Sequence, residues 1–170
     1  INSGNILFDG KNMDDISLES IRKNVSFIQQ NPYIFDDTIK RNITINDNNT
    51  ISDEKIIDIL KQVQLYDKVK SFENGIHEKV KDSSFSKGEK QLLAFARAIA
   101  KETSIYFFDE PTSNIDVESE IQLKKVIENL SKDSTVIIIA HRPATIENVD
   151  KVLKVEDRKV TSKEIKEYEI

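Results

Sequence analysis

The chain has 170 residues, with 25 Lys and Arg against 30 Asp and Glu for a formal net charge of −5, and 38% of its residues are hydrophobic, which fits one globular domain with a real core. It contains no cysteine, so disulfides, zinc-thiolate sites and thiol catalysis are excluded together. No run approaches the ~18 consecutive apolar residues of a membrane span; the first residues lack a signal-peptide layout, and the mild acidity argues against nonspecific nucleic-acid binding.

In chain order, residues 5–8 read as a strand closing in a turn at Asp9-Gly10, and Ser17 reads as the cap of a short helix. Val25 to Ile28 is a short strand of buried type. From about Thr38 to Leu65 the apolar spacing becomes helical, with Ile56, Ile57, Leu60, Val63 and Leu65 able to share one face. Ser86 to Ala100 is a second helix, striped by Leu92, Leu93, Phe95, Ala96 and Ile99. Ile105 to Phe108 and Val136 to Ala140 are continuous apolar runs that bracket a helix from Val117 to about Leu130. That is the pattern of a parallel β-α-β unit whose strands are buried on both faces. Lys151–Val155 and Lys159–Thr161 read as two short strands, and the final SKEIKEYEI as a terminal helix.

The strongest chemical signal is Asp109-Glu110, two carboxylates at the end of an apolar strand. At the carboxyl edge of a parallel sheet one can hold a hydrated Mg²⁺ while its neighbour orients or deprotonates a water. The same residues before Pro111 also read as a polar turn. His141 ends the second buried strand and can face the same crevice, or serve as a hydrogen-bonded structural residue. His77, in the loop around Gly75, reads as surface. Ser86-Lys87-Gly88-Glu89 opens a helix as a capping box, and the same geometry suits a phosphate. Gln29-Gln30-Asn31-Pro32 is either an ordinary loop or a source of an amide in that crevice.

Together these segments resemble the nucleotide-binding domain of ABC transporters. SFIQQNPYIFDDTIKRNI is similar to the family's Q-loop segment, FSKGEKQLLAFARAIA to its signature motif and helix, SIYFFDEPTSNID to Walker B, catalytic glutamate and D-loop, and VIIIAHRPAT to the switch-histidine segment. The resemblance implies a P-loop NTPase-like α/β core with a parallel sheet, made by residues 1–37 and 101–170 and interrupted by an α-helical subdomain at 38–100. It implies ATP and Mg²⁺ as ligands: Asp109 and Gln30 at the metal, Glu110 as general base, and His141 at the γ-phosphate. Ser86, Gly88 and Glu89 stand in the signature, facing ATP held by a second nucleotide-binding domain. Ser113 and Asp116 form the D-loop across that interface. The segment around PYIFDDTIKRNI is most similar to exporters, so a transmembrane domain on the same polypeptide, the cytoplasmic face of a membrane, and no nucleic-acid partner are expected.

This sequence also departs from the family pattern. With only four glycines, no G-x-x-x-x-G-K-S/T phosphate loop can be written; Asn2-Ser3-Gly4 resembles the family's segment just after the Walker A helix, which implies that the loop and the first strands are expected upstream of Ile1. The signature reads FSKGE where LSGGQ is usual, and EKVKDSS before it is short and poor in glycine. Two other readings compete with an ATPase that drives transport. One is a catalytically degenerate ABC domain that regulates by dimerising. The other is a non-transport ABC ATPase acting on DNA, which would need long coiled coils that this chain lacks.

Overall fold

The computed structural model describes residues 3–45, 51–112, 115–140 and 149–163. Strands β1 (Leu7–Phe8) and β2 (Lys11–Asn12) pair antiparallel across Asp9 and Gly10, whose φ angles of +48° and +78° supply the left-handed pair of a two-residue hairpin. The expected turn is there, but the strand is shorter than expected. The ladder stops because Asn12 caps a 3-10 turn at Met13–Asp15, accepting the Asp14 N–H. Helix α1 (Leu18–Asn24) begins at Ser17, whose Oγ accepts the Ser20 N–H at 3.2 Å, as the sequence predicts.

The central sheet has three parallel strands in the order β3 (Val25–Ile28), β6 (Ile105–Asp109), β7 (Thr135–Ile139), and helix α6 (Val117–Leu130) connects β6 to β7. Register places Ser26, Tyr106 and Val136 in one row and Ile28, Phe108 and Ile138 in the next row of the same face. This face is packed: Ile28, Tyr106 and Phe108 are buried, and the Phe108 ring lies 4.9 Å from that of Phe95. The opposite face carries Phe27, Phe107 and Ile137. Here the expectation of strands buried on both sides fails, since Phe27 is 56% exposed, Ile137 41% and Ile139 50%. The helix Lys87–Lys101 (α5) packs on β3 and α6 on β7; the exposures show that the described residues leave the second face largely uncovered.

Between β3 and β6 lie β4 (Asp37–Thr38), α2 (Ile39–Ile43), α3 (Asp53–Gln62), α4 (Tyr66–Lys70), β5 (Lys79–Val80) and α5 (Lys87–Lys101), with β4 and β5 joined as a minimal antiparallel pair. The single apolar stripe expected up to Leu65 is broken. Helix α3 ends at Gln62 with Val63 as its C-cap, Gln64 turns left-handed (φ +55°), and the N–H groups of Gln64 and Leu65 return to the carbonyls of Lys61 and Leu60. This is a Schellman closure without its usual glycine. Ile56, Leu60, Val63 and Leu65 are still buried, joined by Ile59 in place of the half-buried Ile57. His77 is exposed, as predicted, but its Nε2 lies 3.0 Å from Asp53, which also receives Lys40 Nζ at 2.6 Å. The Lys40 hydrogen bond in particular holds the Asp53 carboxyl below its ordinary range.

One hydrophobic core joins these helices to the sheet, running from Ile39 and Ile43 through Ile59, Leu93 and Phe95 to Phe108 and Leu123. The last described element is a hairpin of β8 (Val152–Glu156) and β9 (Lys159–Lys163), turning through Asp157 and Arg158 at positive φ. Ser162 and Lys163, expected at the start of a helix, belong to β9, whose pairing with Val152 and Leu153 extends the ladder through them. The rest of that expected helix lies outside the described residues. Among the described residues no helix is long and apolar enough to cross a membrane.

Candidate functional site

The site is built where parallel strands end together. Strand β6 carries its apolar run to Asp109, and the chain then turns at Glu110, which sits at φ +46°. A left-handed glutamate costs roughly 1–3 kcal/mol and persists only where the surroundings enforce it. The enforcing contact is visible: the Glu110 N–H donates to the Ile139 carbonyl at 2.9 Å, fastening the turn to the end of β7. From the third strand end, Gln30 reaches across and its Nε2 donates to Glu110 Oε2 at 2.6 Å. Residues 80 positions apart thus meet because β3 and β6 are in parallel register. Asp109 and Glu110 are half-buried and Gln30 is exposed, so the edge is open to a ligand.

Ser86 and Glu89 form the expected capping box. The Ser86 Oγ accepts the Glu89 N–H at 3.2 Å, and Glu89 Oε2 accepts the Ser86 N–H at 2.8 Å. Lys68 lies 3.6 Å from the other Glu89 oxygen. Gly88 stands in the first turn of α5. Asp116 is the N-cap of α6, accepting both the N–H and the hydroxyl of Ser119 at 3.0 and 2.8 Å. An aspartate directly ahead of a helical stretch is a sequence-level cap signal, legible beside the role implied for it. His141 and Ser113 lie outside the described residues.

Sequence reasoning missed a second set of residues beside Gln30. The chain leaving β3 bends through Tyr33–Phe35 into α2, and buried Asn42 closes the bend: its Oδ1 accepts the Phe35 N–H at 2.8 Å and its Nδ2 donates to the Phe35 carbonyl at 2.9 Å. Arg97 of α5 donates to the carbonyls of Asn42 (2.9 Å) and Tyr33 (3.2 Å), with its guanidinium carbon 5.5 Å from the centre of the Phe35 ring. Burial lowers the Arg97 pKa. The available signal was an arginine within the apolar stretch of α5. Gln29, Pro32, Tyr33, Phe35, Arg97 and Lys101 help line an adjoining cleft of about 280 Å³.

The donor set suits magnesium. Mg²⁺ takes oxygen ligands, commonly one or two from protein beside substrate phosphates and water, and the Asp109 carboxylate and the Gln30 side-chain carbonyl are oxygen donors of that kind at adjacent strand ends. Among the described residues no cluster of three or more His, Cys, Asp or Glu could hold a metal without such help.

A parallel sheet ending in Asp-Glu, an amide reaching that glutamate from the next strand, and a capped helix start define a nucleotide-binding domain of the ABC type. The family model described as ABC transporter matches residues 1–113, and the chain belongs to that family, as an exporter-type nucleotide-binding domain. Among its relatives, the ATP-dependent lipid A-core flippase of Francisella novicida is 37% identical over 159 residues, covering 92% of this chain and 27% of the flippase. A Bacillus subtilis protein named "Probable multidrug resistance ABC transporter ATP-binding/permease protein YheH" is 37% identical over 152 residues, covering 88% and 22%. A solved structure of a bacterial Atm1-family ABC exporter with ATP bound superposes with a TM-score of 0.86 at 28% identity, over 94% of this chain and 28% of that one. The chain therefore spans about a quarter of the length of these relatives.

Proposed function

We propose that this chain is part of the ATP-binding and hydrolysing domain of an ABC exporter, coupling ATP-driven dimerisation and hydrolysis to transport across a membrane. The observation that carries the reading is the Gln30–Glu110 hydrogen bond at the common edge of β3, β6 and β7. Asp109 and Gln30 would hold a Mg²⁺ ion, which when bound would neutralise charge on the phosphates. Glu110 accepts a proton from a water whose oxygen forms the new bond to the γ-phosphorus as the bond to the bridging oxygen of ADP breaks. Gln30 keeps the Glu110 carboxylate oriented for that proton. His141 contacts the γ-phosphate. Ser86, Gly88 and Glu89 serve ATP in a second domain, with Ser113 and Asp116 at the same interface.

The partner is a transmembrane domain on the same polypeptide, which puts this domain on the cytoplasmic face. The relatives' names and lengths support it, and so does the cleft beside exposed Tyr33 and Phe35. The 170 residues alone bind Mg-ATP weakly, because their sequence has no phosphate loop. The uncovered apolar face of the sheet supports a domain of which this chain is a piece, since parallel sheets are stable when both faces are covered. One observation favours the degenerate alternative: Ser86 and Glu89 satisfy each other in the cap.

Glu110→Gln in the full-length protein tests the catalytic assignment. Nucleotide binding is retained while hydrolysis falls by about 10²-fold or more, as loss of a general base requires. Unchanged single-turnover hydrolysis would remove Glu110 from that role.

A further inference from the structure

We infer that Arg97 is the positioning residue that sets where the Gln30-bearing segment stands relative to the signature helix, and so governs how Gln30 holds Glu110. The inference rests on the reading of Glu110 as the base. Its geometry is independent of that reading.

Gln30 leaves β3 at one end of a six-residue stretch and Phe35 stands at the other. The β3 side is fixed by ladder pairing with β6 through Ile28. The Phe35 side has no ladder and is closed by Asn42, fully buried, which takes both backbone groups of Phe35 and the Thr38 carbonyl at 3.1 Å. This closed bend would move as a unit with α2. Arg97 fastens it to α5: one guanidinium reaches the end of α2 at the Asn42 carbonyl and the start of the bend at the Tyr33 carbonyl, and it lies against the Phe35 ring. The same helix begins at Ser86 and Gly88. A shift of α5 is thereby passed to Tyr33, three residues from Gln30.

A guanidinium is required for this. Its fixed planar fork serves two carbonyls while its flat face lies on an aromatic ring; a lysine ammonium can donate to carbonyls but has no planar face to lay on the ring and no rigid fork to fix their spacing. Arg97→Lys therefore keeps the charge and loses the geometry.

The test uses the full-length protein with two variants, Arg97→Lys and Phe35→Leu. The second acts at a ring that is 45% exposed and spares the core if the first folds poorly. Two readouts are taken: amide hydrogen exchange of residues 30–36, and Mg-ATP hydrolysis resolved into kcat and KM. The expected result for Arg97→Lys is faster exchange in that segment and a kcat reduced about tenfold, with KM changed less than about twofold, the pattern of a lost positioning effect. Phe35→Leu gives the same pattern at about threefold in kcat. Folded variants with parental kcat and parental exchange would overturn the inference, as would a loss of kcat matched by global destabilisation with no local change in exchange. If Glu110→Gln leaves hydrolysis intact, the reading of the base has failed, and the exchange measurement alone decides the role of Arg97.

Discussion

Ser86 is held by a reciprocal cap, and the same hydroxyl stands where a phosphate ligand is implied. The two roles separate by measurement. As a cap alone, Ser86→Ala costs about 0.5–2 kcal/mol of stability and leaves association of two full-length domains unchanged. As a phosphate ligand, it also weakens ATP-dependent association. We expect the second result, because Gly88 leaves the helix start open to close approach. Sedimentation with and without ATP in a Glu110→Gln background decides it, and a Ser86→Ala protein that dimerises like its parent would favour the degenerate domain. Asp116 presents the same duality, since its carboxylate already serves Ser119.

At the scale of elements, α5 organises its surroundings through its polar residues as much as its apolar ones. At its C-terminal end Lys101 donates to the carbonyls of Arg22 (2.5 Å) and Val25 (2.6 Å), closing the end of α1 and the start of β3 with one ammonium. Burial lowers its pKa. Lys101→Met keeps the stem and removes both charged hydrogen bonds, so it should lower unfolding stability by about 2 kcal/mol, read as a lower urea midpoint at unchanged slope. Asp9-Gly10, the Ser17 and Ser86 caps, and the runs of β6 and β7 were legible in the sequence because each depends on local chemistry or simple periodicity. The break at Gln64 was not, since a left-handed glutamine gives no sequence signal where glycine or asparagine would. The Arg97–Asn42 bend was hidden for another reason: its partners are 55 residues apart and most of its bonds go to backbone carbonyls, which every residue has. For Gln30 the residues alone left two readings open, an ordinary loop or an amide in the crevice, and only the family resemblance chose between them.

At the scale of the molecule, the described residues cover the sheet on one face and leave the other largely bare. Phe27, Ile137 and Ile139 there should make the 170-residue chain bind a dye for apolar surface and aggregate on concentration. Phe27→Ser with Ile137→Thr should reduce both with little change in the unfolding midpoint, because neither side chain loses a buried position. Dye fluorescence and light scattering check this; unchanged values would mean that the bare face is not the source. The register of that sheet also bears on synthesis. Val25 pairs with Ile105 and Ile28 with Phe108, so among the described residues β3 gains its strand partner only after some 80 further residues have been made. At roughly 5–20 residues per second that delay is about 4–16 s, during which α3 and α4, built on near-neighbour contacts, have time to form. On the nascent chain the local helices of the middle can therefore form before the sheet that joins the two ends, and Gln30 can meet Glu110 only once β6 has emerged.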